Sequence, residues 1–108
     1  MLVEVNTSGE VSKHGFNPDY QLLCDVLGEI KEIGLRISGL MTVGPLGGSE
    51  QDTSEAFALL RTLRDRLESD YDLPELSMGM SDDFVLAVKE GATIIRLGRY
   101  LFGSRQTR

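Results

Sequence analysis

The sequence contains a single cysteine and no long apolar segment. Cys24 cannot form an internal disulfide, and its place in an apolar helical stripe predicts a buried, small hydrophobic side chain in a reducing compartment. No run of about 18 apolar residues and no signal-peptide core is found, which argues against membrane insertion and secretion. We therefore expect a cytoplasmic protein.

Positive charge is also scarce. Lysine and arginine together number 11 against 17 aspartates and glutamates, so the formal net charge is −6. Binding to a nucleic acid backbone, or to an anionic membrane, needs lysines and arginines clustered over a broad face. Neither nucleic acid nor membrane is therefore an expected partner.

Several motifs with a known chemistry are missing. Histidine, cysteine and carboxylates do not cluster at metal-ligand spacing, and neither a Walker loop nor a G-x-G-x-x-G follows a predicted strand. Lys13 and His14 lie in a polar loop, where a lysine lacks the burial or charge partner that would make it a nucleophile. We predict no metal site and no catalytic residue.

The chain alternates between two kinds of hydrophobic pattern. Its 108 residues suffice for one small domain, and we treat residues 1–108 as a single unit. Strands are predicted over residues 1–6, 35–41, 75–80 and 93–97. Helices are predicted from Asn17-Pro18 to Gly34, from the capping pair Asp52 and Glu55 onward, and from Asp82 to Gly91. This alternation predicts an α/β fold with parallel strands.

In parallel sheets and barrels, ligands bind at the carboxyl ends of the strands. The last two predicted strands end at Ser81 and Gly98, where exposed backbone amides could hold a phosphate. Gly98 allows a group to approach the backbone closely, and Arg99 could add a charged contact. The plainer alternatives are that Ser81 only caps the third helix and that Arg99 is solvated.

Arg96 alternates with Ile95 and Leu97 in the last predicted strand, so it faces the opposite side from those two residues. A guanidinium on the interior side of a barrel must be paired, either with a ring nitrogen or with a carboxylate. An ordinary salt bridge is the plainer alternative.

Five motifs resemble the pyridoxal-phosphate homeostasis protein family, whose members are similar to the amino-terminal barrel of alanine racemase. They are Val5-Asn6-Thr7-Ser8-Gly9-Glu10, Lys13-His14-Gly15, Gly39-Leu40-Met41-Thr42, the run LSMGMSDD at residues 76–83, and Arg96-Leu97-Gly98 with Phe102-Gly103-Ser104-Arg105. The resemblance implies the carboxyl-terminal half of a TIM (β/α)8 barrel of alanine-racemase type, with four βα-type units.

The resemblance also implies a cofactor, pyridoxal 5'-phosphate. It places Ser81, Gly98 and Arg99 at the phosphate, Met80 beside it, and Arg96 at the pyridine nitrogen. Arg99 departs from many relatives, which have a small hydroxyl residue there. The Schiff-base lysine of the family lies on the first strand of the barrel, which has no counterpart here, so the resemblance implies a non-catalytic binding protein for cofactor homeostasis.

Two alternatives remain open. In the first, the chain is a structural half barrel that functions only as a homodimer or together with a complementary half barrel. The reason is that a half barrel has unpaired edge strands and an exposed apolar interior. An enzyme that acts on another phosphorylated metabolite could use the same phosphate site, but the sequence offers no acid, base or nucleophile for it.

Overall fold

Three parallel strands and three helices alternate within the part of the chain that the structure describes. The structure, a computed structural model, describes residues 1–8, 15–45, 49–80 and 83–95. The elements are β1 (Leu2–Glu4), α1 (Tyr20–Glu32), β2 (Gly39–Met41), α2 (Glu50–Leu67), β3 (Glu75–Ser77) and α3 (Phe84–Lys89). The strands lie in the order β1-β2-β3, and both pairings are parallel, as the sequence predicts.

One face of the sheet forms the core with the helices. Val3, Leu40 and Leu76 are in register across the three strands and are buried. Because side chains alternate along a strand, Leu2, Glu4 and Met41 lie on the opposite face. Leu2 remains 36% exposed there. The helices supply the rest of the core, mainly Leu23, Leu27, Phe57, Leu60, Leu63, Leu67 and Ala87.

The predicted fourth strand is present only as a bridge within the described residues. Ile94 pairs in parallel with Ser77, and the Met78 N–H donates to the Ile94 carbonyl at 3.1 Å. This places the segment next to β3 and parallel to it. Residues 96 and 97 lie outside the described part of the chain, so a count of four strand-helix units stays a prediction.

The predicted starts of all three helices were wrong by two or more residues. Asp19, not Asn17, caps α1, since its carboxylate accepts from the N–H groups of Gln21 and Leu22 at 2.9 and 3.2 Å. Ser49 caps α2, and Asp52 is the third helical residue of a capping box. Helix α3 begins at Phe84 rather than at residue 82. Each stretch offers several capping side chains, and the backbone path selects among them.

The predicted ends of α1 and α3 are confirmed. Gly34 and Gly91 follow these helices with φ angles of +87° and +97°, a backbone conformation that favours glycine. The burial of α1 differs from the prediction at Cys24, which is half-buried rather than buried. No helix in the described residues is long and apolar enough to span a membrane.

Candidate functional site

The candidate site is the edge of the sheet where the chain leaves the strands. Backbone hydrogen bonds between neighbouring segments continue past the end of each strand. The Val5 N–H donates to the Met41 carbonyl at 2.8 Å, and the Thr42 N–H donates to the Ser77 carbonyl at 3.0 Å. The Met78 N–H donates to the Ile94 carbonyl. These bonds hold the segments after β1, β2 and β3 side by side. We call this the exit edge.

Gly79 brings the exit of β3 against the segment that follows α3. Its φ angle is +103°, and a Cβ at this position would lie 2.6 Å from Cβ of Ala87 and 3.2 Å from Cγ2 of Ile95. Only glycine combines this backbone conformation with such close packing. The exit of β3 therefore lies against Ile95, in the segment that follows α3.

Of the predicted site residues, the structure describes Met80 alone. Its side chain is 44% exposed, and its N–H donates to Oδ1 of Asp83 at 2.7 Å. Met80 can therefore contact a ligand through its side chain but not through its N–H. Ser81, Arg96, Gly98 and Arg99 lie outside the described residues, as do Lys13 and His14.

A buried threonine network, which sequence reasoning missed, joins the exits of β1 and β2. Thr42 is buried, and its hydroxyl donates to the Val5 carbonyl at 2.7 Å. Its oxygen lies 2.9 Å from Oγ1 of Thr7. Because the single hydroxyl proton of Thr42 is used on Val5, Thr7 is the donor in this second bond. The position of Thr42 directly after an apolar strand is the feature of the sequence that could have indicated this network.

A cavity of about 430 Å³ opens at the exit edge between the β1 and β2 exits and α2. Thr7, Ser8 and Pro45 line one side, while Asp52 and Glu55 line the other. The two carboxylates make this cavity unfavourable for a phosphate group, because like charges repel.

The two lysines of the described residues are remote from the strand exits. Lys31 and Lys89 lie in the last turns of α1 and α3. Each helix runs back from the exit edge to the next parallel strand, so these turns lie at the opposite edge of the sheet. Nζ of Lys31 lies 5.9 Å from the centroid of the Tyr71 ring there. Within the described residues, no group of three metal-ligating side chains is found either.

The chain matches a family model described as "Alanine racemase, N-terminal domain" over residues 1–106. It is 43% identical over 109 residues to the pyridoxal phosphate homeostasis protein of Aquifex aeolicus, covering 98% of this chain and 47% of the relative. The human protein of the same name is 41% identical over 110 residues, covering 97% of this chain and 40% of the relative. The chain thus spans less than half the length of these relatives.

Two solved structures of PipY from Synechococcus elongatus resemble the fold. The structure without pyridoxal phosphate superimposes with a TM-score of 0.79 at 37% identity, and the structure with pyridoxal phosphate bound has a TM-score of 0.66 at 34% identity. The matches cover 88% of this chain, and 45% and 44% of the PipY chains.

The matched model describes an amino-terminal domain, so these comparisons do not confirm that the chain corresponds to a carboxyl-terminal half. They do confirm the predicted relationship and the parallel α/β architecture. The chain belongs to the alanine racemase N-terminal domain family, and nearly all of it is similar to part of the pyridoxal phosphate homeostasis proteins.

Proposed function

We propose that this chain binds pyridoxal 5'-phosphate reversibly and serves cofactor homeostasis rather than catalysis. The observation that carries the proposal is the similarity, over 98% of the chain, to a protein named for pyridoxal phosphate homeostasis. The exit of β3 at Gly79 lies at the edge where parallel α/β folds bind their ligands, which supports the proposal.

We place the proposed phosphate site between the exit of β3 and the turn that follows the fourth predicted strand. Ser81, Gly98 and the Arg99 guanidinium would contact the phosphate, with Met80 beside them. The close packing of Gly79 against Ile95, which precedes that turn in the sequence, supports this placement. Every phosphate contact itself is a proposal that rests on the family resemblance.

Arg96 is proposed to face the pyridine nitrogen. The bound cofactor supplies an electron sink, whose strength depends on protonation of the ring nitrogen. A permanently charged guanidinium there would disfavour that protonation. The site would then hold the cofactor without activating it, which agrees with a homeostasis role.

The proposal includes the absence of a Schiff-base lysine from this chain. The lysines are residues 13, 31 and 89. Lys31 and Lys89 lie in the helix turns at the edge opposite the exits, which supports non-covalent binding. Borohydride reduction in the presence of pyridoxal phosphate, followed by peptide mass spectrometry, should give no lysine adduct. A stoichiometric adduct on any of the three would contradict this part of the proposal.

The binding site itself is tested by titration of pyridoxal phosphate, followed by its absorbance and by calorimetry. Ser81→Leu removes a hydroxyl and adds bulk at the phosphate, so we expect binding to weaken about tenfold or more. Ser69→Leu, on an exposed serine after α2, is the matched control and should bind as the unmodified chain does. Equal affinity of the two variants would refute the phosphate site.

A second candidate function is that of a half barrel that works with another chain. Strand β1 is an edge of the described sheet, and Leu2 and Met1 are exposed beside it. Phe16 covers only the carboxyl end of that edge, where its N–H donates to the Glu4 carbonyl at 2.9 Å and its carbonyl accepts from Asn6 at 2.8 Å. The amino end of β1 remains a surface on which a further strand could pair.

Fragment complementation tests both the half-barrel function and the assignment of the chain to the carboxyl-terminal half of the barrel. If the chain is the carboxyl-terminal half, it should form a stable 1:1 complex with the amino-terminal half of a relative and not with the carboxyl-terminal half. The opposite preference would refute the assignment. Sedimentation of the chain alone tests homodimerisation, and a compact monomer at micromolar concentration would exclude it.

A further inference from the structure

Asp83 directly precedes α3, but its side chain does not cap the helix. It is the N-cap residue by position, yet its side chain makes no capping hydrogen bond to α3. Its Oδ1 instead accepts the N–H of Met80 at 2.7 Å, and its own N–H donates to the Met80 carbonyl at 3.2 Å. The carboxylate therefore closes the turn at the exit of β3.

The second oxygen of the same carboxylate faces the exit of β2. A Cβ at the buried Gly44 would lie 3.0 Å from Oδ2 of Asp83, which is tighter than an ordinary contact. Glycine at position 44 therefore allows the carboxylate to reach this place. One half-buried carboxylate thus lies between the backbones that follow β2 and β3.

We propose that Asp83 is a positioning residue for the phosphate loop. This inference rests on the proposed function, because it concerns the same site. By accepting the Met80 N–H, the Asp83 carboxylate fixes the Gly79–Met80 peptide unit at the start of this loop, and its Oδ2 lies close to Gly44 in the neighbouring exit. Asp83 is itself an anion, so it orients the loop without contacting the phosphate.

A positioning role and a purely structural one predict different ligand dependence. If Asp83 orients the phosphate loop, its loss weakens the binding of every ligand that carries a phosphate. Pyridoxal, which has the same ring but no phosphate, keeps its affinity. If Asp83 only stabilises the fold, the affinities for pyridoxal and pyridoxal phosphate fall together.

The experiment compares Asp83→Ala with Asp83→Asn in the full chain. Titrations use pyridoxal phosphate, pyridoxal and inorganic phosphate, with circular dichroism to verify folding. Asparagine keeps an Oδ1 acceptor for Met80, so we expect affinity for pyridoxal phosphate within about twofold of the unmodified chain. Alanine leaves the Met80 N–H without this acceptor, and we expect about tenfold weaker binding of pyridoxal phosphate and of inorganic phosphate, with pyridoxal unchanged.

Asp72→Ala is the matched control, since it removes an exposed carboxylate before β3 at the opposite edge of the sheet. If Asp83→Ala does not fold, Gly44→Ala provides a second test, because its added methyl group displaces the carboxylate from the β2 side. This variant should bind pyridoxal phosphate about threefold more weakly, with its affinity for pyridoxal unchanged. Unchanged phosphate affinity in the folded variants, or equal losses for pyridoxal and pyridoxal phosphate, would overturn the inference. An unmodified chain that binds no pyridoxal phosphate would instead refute the proposed function.

Discussion

Replacing Gly79 by alanine tests the packing on which the candidate site depends. Gly79 follows β3, and its φ angle of +103° is strained for any residue with a Cβ. The added methyl group would also lie 2.6 Å from Cβ of Ala87, a buried core residue of α3. Both effects act in the folded state, so the substitution should destabilise the protein.

The size of the effect follows from these two terms. A non-glycine residue in such a backbone conformation costs about 1–3 kcal/mol. Overpacking against Ala87 and Ile95 adds about 1–3 kcal/mol, because the backbone or α3 must shift to relieve it. The combined loss of about 2–6 kcal/mol is large against the total stability of about 5–15 kcal/mol that is typical of a whole domain.

Urea denaturation followed by circular dichroism measures this loss. Gly28→Ala is a suitable control, because Gly28 lies within α1 and an added Cβ would lie at an ordinary 3.5 Å from the Tyr71 hydroxyl. Alanine should stabilise the helix there by about 0.5–1 kcal/mol, so the two substitutions should have opposite signs. A loss below about 1 kcal/mol for Gly79→Ala would refute the described packing of the β3 exit.

Three further predictions concern hydrogen bonds that are seen in the structure and were not predicted from the sequence. Thr42→Val should lower the free energy of unfolding by about 1–3 kcal/mol, because it removes a buried donor and acceptor, and Thr42→Ser should restore most of it in the same urea assay. Ser49→Ala should cost about 0.5–2 kcal/mol through loss of the α2 cap, whereas Asn17→Ala should change the unfolding midpoint little, and the reverse order would contradict the observed caps. The hydrogen bond with Cys24 raises the pKa of Tyr20 above its ordinary 10.0, so the protonated phenol favours the folded state and this contribution is lost as pH rises through the raised pKa. Cys24→Ala should lower the tyrosinate midpoint in an ultraviolet titration, and an unchanged midpoint would contradict that contact.

Sequence reasoning predicted the candidate site through its motifs but not through its contacts. The glycine and serine at the end of the third predicted strand indicated a turn at this place. The roles of Thr42 and Asp83 were not predicted. Thr42 pairs with Val5 across 37 positions and with Thr7 across 35, and no local pattern specifies which distant strand exit a hydroxyl will meet.

The amino-acid sequence by itself determined the order of strands and helices and the ends of α1 and α3. These depend on side-chain periodicity and on the backbone freedom of Gly34 and Gly91, which are local properties. The tertiary structure decided which carboxylate or hydroxyl is used at each turn, so that Asp19 and Ser49 became caps while Asp83 joined Met80 to the exit beside Gly44. Several nearby side chains can make each bond, and only the packed path of the backbone brings one of them within reach.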